Sequence, residues 1–389
     1  MGGNCLLVIS KNEGLNPISI AKQSLNDSDV IDKVIISDGS EKENFQLLKK
    51  RETKDIEVIH EKKYWKTKQK GKGIGMINAG IAAIKQGYEN LGFIDGDILN
   101  PNLGKWFQFL FNPLQRNIDI VKAGFSRHPS DAQITRHISK PLIAMFFPPA
   151  WEINQPLGGE LTMTKNVFEN LFNNKDIKPP YGWGIDTFIT IKSLIHGFVI
   201  GEVYLGQKMH GKKDLTNLKG MFIQCLKEAI RLIKYYQDLK VRKKIKPITK
   251  ISSPFKKNTS FKECYMDVQE EVLRSIKNFK LLRRLNIPGD NVFYKLKKTD
   301  SYRYFKKNTE DIDIDQWLNM LYWIVKKYSI KNMEQYYLRW KIRSLSYCIR
   351  NIENAVKAEE VTDYQAKTAS RYLYEINETT AFDENTDIY

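Results

Sequence analysis

The chain has 389 residues, with 62 Lys and Arg against 45 Asp and Glu, a net charge of +17. A length of that order holds two or three domain-sized units, and 12% aromatic residues in a 42% hydrophobic chain exclude disorder along its whole length. No apolar run approaches the ~18 residues of a membrane-spanning helix, and the basic balance asks for an anionic partner: nucleic acid, an anionic membrane surface or phosphorylated small molecules.

In chain order, residues 5–10 (CLLVIS) form an apolar run of strand length. A polar turn at Lys11, Asn12, Glu13 and Gly14 follows, then a helical pattern over 18–25. Residues 34–37 are a second apolar run, ending in Asp38-Gly39-Ser40, and 56–59 are a third. Residues 74–85 have helical spacing and many small side chains. Residues 91–94 make a fourth strand ending in Asp95-Gly96-Asp97, and 118–123 a fifth. Strands separated by helical stretches of this length imply βαβ units and a mainly parallel sheet. Residues 198–205 are again strand-like, and 218–239 read as one long helix.

Residues 240–262 carry nine basic side chains with Pro247 and Pro254, the pattern of an exposed connection. Helical spacing returns over 268–282, 314–328, 333–358 and 364–376, and 383–389 reads as a frayed tail. The expected fold is therefore α/β: a Rossmann-like domain over 1–240, a basic connection over 241–262 and an all-helical domain over 263–389. Cys5, Cys225, Cys264 and Cys348 are far apart and form no CxxC pair, as in reduced thiols. The N-terminus has no basic region leading into a long apolar stretch, so a cytoplasmic protein is expected. Leu6 stands where a myristoylation signal wants Ser or Thr.

In open parallel sheets, ligands sit beyond the carboxyl ends of the strands. Ser10-Lys11, Asp38-Gly39-Ser40 and Asp95-Gly96-Asp97 all fall there. Two carboxylates two residues apart at a strand exit suit a hard divalent cation whose other oxygens come from a diphosphate, although a solvated acidic turn has the same sequence. The run KQKGKGIG (68–75), with Lys72, opens a helix; glycines there let backbone N–H groups reach phosphate, or make a basic loop. His210 follows a strand and is a metal-ligand candidate only in company with the Asp-Gly-Asp triplet. Gly-rich turns occur at QPLGGEL (155–161) and YGWGID (181–186), where Asp186 is either a ligand or a helix cap. Arg127 is suited to a carboxylate, or is a surface cation.

Together these residues resemble the GT-A class of nucleotide-sugar glycosyltransferases. Within that class, RHPSDAQIT (127–135), NQPLGGELTM (154–163) and GWGIDT (182–187) are similar to the mannosylglycerate synthase family. The similarity runs from about residue 7 to 376, faintly so through LRWKIRSLSY (338–347). The resemblance implies a retaining transfer of mannose from GDP-mannose to D-glycerate, in the synthesis of a compatible solute. It implies that Lys11, Glu13, Lys72, Asp95 and Gly96 contact the nucleotide. Asp97 and His210 would hold a divalent metal, Mg2+ or Mn2+. Arg127, Thr135 and Met221 would bind the acceptor, and Asp186 and the Leu157 carbonyl would lie against the transferred sugar.

Two departures stand out. After His210 the chain has Gly211, Lys212 and Lys213, where the family carries an aromatic; this suits a more anionic acceptor. VIISDGS (34–40) follows general GT-A sequences more than this family. A glucosyl donor, or 3-phosphoglycerate or a lipid-linked sugar as acceptor, is thus the alternative. A basic nucleic-acid-binding protein is the alternative outside enzymes, but no helix-turn-helix, zinc spacing or RNA-binding aromatic pattern supports it. The excess around 240–262 also allows peripheral contact with an anionic membrane, and the aromatic helices near 336–347 suit a homo-oligomer.

Overall fold

The computed structural model describes residues 2–64, 69–173, 176–212, 214–257, 261, 266, 270–271, 314–351 and 354–383. Their elements are β1 (Asn4–Ser10), α1 (Asn16–Asn26), β2 (Lys33–Asp38), α2 (Lys42–Lys49), β3 (Ile56–His60), α3 (Lys72–Lys85), β4 (Asn90–Asp95), α4 (Leu103–Phe111) and β5 (Ile120–Ser126). Then come α5 (Lys140–Phe146), β6 (Leu161–Thr164), α6 (Lys165–Phe172), α7 (Ile185–Ile195), β7 (Ile200–Gln207), α8 (Lys219–Asp238), β8 (Thr249–Ile251), α9 (Ile314–Lys326), α10 (Met333–Asn351) and α11 (Ala355–Asp383).

Two compact units emerge. The first comprises Met1–Ser126, Ile153–Gly211 and Lys227–Lys257; the second comprises Arg127–Glu152, Lys212–Leu226 and Asn258–Tyr389. Two stretches that the sequence places inside 1–240, residues 127–152 and 212–226, thus group with the C-terminal helices.

The first unit is built on a sheet of order β3-β2-β1-β4-β6-β5-β7-β8. All pairings are parallel except those of β6, which runs antiparallel to both β4 and β5. Leu6, Leu7 and Val8 of β1 and Val34, Ile35 and Ile36 of β2 are fully buried. Such continuous apolar strands are what a parallel sheet covered on both faces requires. In β4, a Cβ on Gly92 would stand 2.6 Å from the Phe111 ring, so only glycine lets α4 pack there. The order reverses between β1 and β4: β1 leads back to β2 and β3, while the later strands lie beyond β4. A reversal of this kind opens a crevice at the carboxyl ends of the two strands.

In the second unit, a single π-helical turn (Thr135–Ser139) leads into α5. Trp317 Nε1 donates to the His137 carbonyl at 2.8 Å and Trp340 Nε1 to the Gln133 carbonyl at 3.2 Å. The Arg136 guanidinium donates to Tyr347 Oη and Thr362 Oγ1, both at 3.0 Å. Lys341 and Glu271 pair at 2.5 Å in the interior.

Several elements differ from the sequence reading. The fifth strand is displaced to Ile120–Ser126. Strand β6, only four residues long, is new: the sequence shows it as the edge of a Gly turn. The basic connection contains β8 and is anchored by buried Ile245 and Ile248. The helical stretch 333–358 is two helices, α10 and α11. Of the expected helix 268–282 only 270 and 271 lie within the described residues, and of the tail only 383, which ends α11.

Candidate active site

The crevice between β1 and β4 is framed by three loops. After β1, Asn12 and Gly14 adopt positive φ (62° and 56°), which turns the chain sharply. Asn12 N donates to Ser40 Oγ at 2.6 Å, and Ser40 Oγ donates to Asp38 Oδ1 at 2.8 Å. The loops after β1 and β2 are therefore tied together, with Lys11 and Glu13 exposed on the first. Gly96 N donates to the Ile9 carbonyl at 2.8 Å, and a Cβ on Gly96 would meet that oxygen at 3.0 Å. The close approach of the β1 and β4 exits is the reason for glycine between the two aspartates.

Asp95 is the hub of a buried ionic cluster. Lys72, the first residue of α3, lies 2.7 Å from Asp95 Oδ1 and 2.8 Å from Asp186 Oδ2. Asp186 sits in the first turn of α7 but caps nothing; its carboxylate goes to Lys72 instead. The Asp186 Oδ1 atom is buried with no hydrogen-bond partner among the described residues. Such an atom is costly unless something polar meets it. The GKG and YGWG loops are locked to each other: Ile74 N donates to the Tyr181 carbonyl at 3.2 Å, and a Cβ on Gly73 would collide with the Pro180 carbonyl. The Trp183 ring lies 5.8 Å from Lys72 Nζ.

The electrostatics follow from burial. Burial by itself lowers the pKa of Lys72, but Asp186 and Asp95 hold it above its ordinary value. Burial raises the Asp186 carboxyl above the usual carboxylate range; Lys72 opposes this and Asp95 adds to it.

Three residues of the cluster escaped the sequence reading. Lys208 Nζ donates to both oxygens of Glu160, at 2.7 and 2.8 Å, and stands 3.5 Å from Asp95 Oδ2. Lys122, in the middle of β5, is fully buried and donates to the Gly158 carbonyl at 3.2 Å. Burial pulls its pKa down to about 8, against the attraction of Asp186. The loop carrying Leu157, which is nearly buried, turns through a Gly158 N to Gln155 O bond of 3.0 Å. A Cβ on Gly159 would meet Asp95 Oδ1 at 2.6 Å, so this loop packs directly on the Asp95 carboxylate. The Gly pair in QPLGGEL signalled such an approach. A lysine inside the apolar run IVKAGF was the available signal for Lys122.

Backbone pairing joins the segments that carry Asp97 and His210. Ile98 and His210 form an antiparallel bridge, and Leu99 N donates to the Met209 carbonyl at 2.9 Å. Asn100 staples the two segments, donating to the Gln207 carbonyl and accepting from Met209 N, both at 2.7 Å. His210 is nearly buried, and its Nδ1 donates to the Gly211 carbonyl at 2.7 Å. That bond selects the tautomer whose Nε2 carries the lone pair, as metal-ligating histidines require. No group of three or more His, Cys, Asp and Glu suited to a metal ion occurs among the described residues. One carboxylate and one imidazole fit a divalent cation only if further oxygens complete the shell, as a diphosphate would.

The remaining expected residues belong to the second unit. Arg127 Nε pairs with Asp131 Oδ2 at 2.6 Å, and Arg136 donates to the Arg127 carbonyl at 2.9 Å. Thr135, nearly buried, begins the π-helical turn, a feature frequent at functional sites. Met221 is half-buried in α8.

Comparison with known proteins adds the following. Residues 39–230 match the family described as mannosylglycerate synthase, GT domain. The mannosylglycerate synthase of Selaginella moellendorffii is 30% identical over 178 residues, covering 44% of this chain and 42% of that protein. That of Rhodothermus marinus is 30% identical over 169 residues, 41% of each chain. The glucosyl-3-phosphoglycerate synthase of Mycolicibacterium smegmatis is 28% identical, covering 35% of this chain and 47% of that protein. The chain thus aligns with less than half the length of these relatives. Among solved structures, glucosyl-3-phosphoglycerate synthase from Mycobacterium tuberculosis, in complex with Mn2+, UDP and glucosyl-3-phosphoglycerate, superposes with a TM-score of 0.52 at 20% identity. The match covers 60% of this chain and 80% of that one. The same protein is also known with Mg2+ and UDP, at a TM-score of 0.51, 20% identity and the same coverage. The sheet and its flanking helices are those of the GT-A fold.

Proposed function

We propose that this chain, a mannosylglycerate synthase-like GT-A glycosyltransferase, carries out metal-dependent, anomer-retaining transfer of mannose from GDP-mannose to D-glycerate in the cytoplasm. The observation that carries the reading is the buried Lys72–Asp95–Asp186 cluster with its unpartnered Asp186 Oδ1, at the mouth of the β1/β4 crevice. A sugar hydroxyl donating to that oxygen would satisfy a buried polar atom that already stands beside Lys72 at the crevice. The two mannosylglycerate synthases among the relatives favour mannose and glycerate.

In this reading Lys11, Glu13 and Gly96 border the nucleotide. Asp97 and His210 hold the divalent cation, which when bound neutralises charge on the diphosphate leaving group. Lys72 holds the Asp95 and Asp186 carboxylates in place and opposes the rise that burial imposes on Asp186. Asp186 and the Leu157 carbonyl bracket the transferred sugar, where electron density stabilises an oxocarbenium-like transition state. Arg127 and Thr135 take the acceptor carboxylate, and Met221 borders it. Asp186 is held through Oδ2 by Lys72, which disfavours it as a nucleophile. The acceptor hydroxyl then attacks the anomeric carbon on the side the diphosphate leaves. The carbon–phosphate-oxygen bond breaks, the new glycosidic bond forms, and the hydroxyl proton passes to the departing phosphate. Assembly as a homo-oligomer belongs to the same proposal.

A second reading keeps the reaction type and changes the substrates to a glucosyl donor and 3-phosphoglycerate. It is favoured by the glucosyl-3-phosphoglycerate synthases among the relatives and by exposed Lys212 just beyond His210. A matrix of GDP-mannose, GDP-glucose and UDP-glucose against glycerate and 3-phosphoglycerate, with the product anomer read by NMR, separates them. Turnover with glycerate and GDP-mannose is the expected result; no turnover with glycerate for any donor overturns the first reading. Asp97→Ala and His210→Ala should each abolish turnover. Full activity of either variant, or of the wild type in excess EDTA, removes the metal assignment.

A further inference from the structure

We propose that the loop at residues 240–246, at the amino end of the sheet, is an electrostatic docking surface for an anionic membrane. Lys240, Arg242, Lys243, Lys244 and Lys246 are all exposed, and no acidic residue occurs between Asp238 and Thr249. The loop is not a loose tail. Ile245 and Ile248 are buried at 8% and 6% exposure and pin it to the body, while Val241 between the cations is 85% exposed.

Topology fixes where this surface lies. Strand β8 runs parallel to β7. Residues 241–248 therefore enter β8 at the amino end of the strands, whereas Asp95-Gly96-Asp97 leaves β4 at the carboxyl end. Gly197, just before β7, confirms the placement: a Cβ there would stand 3.4 Å from Lys243 Cβ. Exposed Arg116, ahead of β5, adds to the same end. The local field is felt by His196, next to Gly197; burial lowers its pKa first, and Lys192 and Lys243 lower it further, with Asp176 opposing. Lys250, within β8, pairs with Glu202 at 2.7 Å and is not counted in this surface.

The chemistry selects a bilayer over a nucleic acid. Clustered Lys and Arg beside an exposed apolar side chain match anionic headgroups with shallow insertion. The stretch 240–248 has no helix or strand to enter a groove and no aromatic for bases to stack on. No described helix is long and apolar enough to cross a membrane, so the attachment is peripheral. Because the surface and the candidate site lie at opposite ends of the sheet, docking leaves the crevice open, and the inference stands whatever sugar or acceptor the site takes.

The test uses the full chain and sedimentation with vesicles of phosphatidylcholine alone or mixed with phosphatidylserine. Binding is expected to the mixed vesicles only and to fall as salt screens it. Charge reversal at Arg242, Lys243, Lys244 and Lys246 (each to Glu) should reduce the vesicle partition coefficient at least ~10-fold. The milder Ala substitutions at the same four positions, and Val241→Asp alone, should each weaken it less and guard against misfolding of the reversed variant. No binding to the mixed vesicles, or equal binding by all the variants, overturns the proposal. So does displacement from the vesicles by a random DNA duplex at physiological salt, which would give the surface to nucleic acid.

Discussion

At the carboxyl end of the sheet, Asp95, Asp186 and Glu160 form ion pairs with Lys72 and Lys208, and Lys122 is buried close enough to feel Asp186. At the amino end, residues 240–246 expose five cations with no carboxylate among them. The difference follows from dielectric. Where water is excluded, an unbalanced charge is strongly unfavourable, and Lys72 and Lys208 are each kept beside carboxylates. At the surface, salt screens charges within a Debye length of about 10 Å, and an excess is tolerated. The net charge of the chain therefore says little about its chemistry. The balanced cluster can act on a substrate because a ligand that shifts one member shifts them all; the unbalanced loop can only attract.

Removing one ion from the balanced end should have the largest effect. Lys72→Met leaves Asp95 and Asp186 without the cation between them, and kcat should fall by about 10²–10³-fold. The sign of the pH effect is fixed. Burial already raises the Asp186 carboxyl, and Lys72 is what pulls it back. Without Lys72 its pKa rises further, so the ionised form, which the proposed function places against the sugar, is reached only at higher pH. The acid limb of the residual kcat profile should move up. A profile that keeps its acid limb would show that Asp186 is not the group titrating there.

How much of this was legible in the sequence depends on whether the signal is local. Asp38-Gly39-Ser40 and Asp95-Gly96-Asp97 could be read because each follows an apolar strand within a few residues, and strand ends in a parallel sheet are site positions by topology. The Glu160–Lys208 pair could not: its members are 48 residues apart, and only the antiparallel insertion of β6 brings them together. In the second unit the helical spacing over 333–358 was visible but its break was not. Asn354 makes that break, accepting the Lys357 amide on its Oδ1 at 3.0 Å as the cap of α11. Residues 127–139 read as part of the α/β domain because nothing local marks Trp317, Trp340 and Tyr347 as the groups that hold them.

Glu160→Gln tests the same cluster one step further from the crevice. It removes the bidentate partner of Lys208 while keeping shape, so the ammonium turns to Asp95, its other carboxylate neighbour. Asp95 would then be over-neutralised. A change in a group that supports a ligand rather than touching it costs roughly 10–100-fold, here in kcat/KM for the donor. Restoring the charge balance in the double variant Glu160→Gln/Lys208→Met should recover part of the loss. No loss in the single variant would mean that the pair serves folding alone.

Lys122→Met should have the smallest effect and separates balance from mere burial. The folded state holds this ammonium at a pKa of about 8, below its ordinary value. Below that pH the folded protein therefore carries a buried cation it disfavours relative to the unfolded chain. Methionine removes that cost, so the thermal midpoint at neutral pH should stay level or rise. Activity should move the other way. Lys122 draws the Asp186 carboxyl down and holds the Gly158 carbonyl of the loop that packs on Asp95. Its loss should reduce kcat only about a few-fold, less than the roughly 10–100-fold cost of losing a partner that directly orients a functional group, and should erase any component of the wild-type pH profile that falls near pH 8. A more stable yet slower enzyme would show that the third lysine is kept for the site. Lower stability with an unchanged profile would show that Lys122 matters to packing and that the balance at this end of the sheet is carried by Lys72 and Lys208 alone.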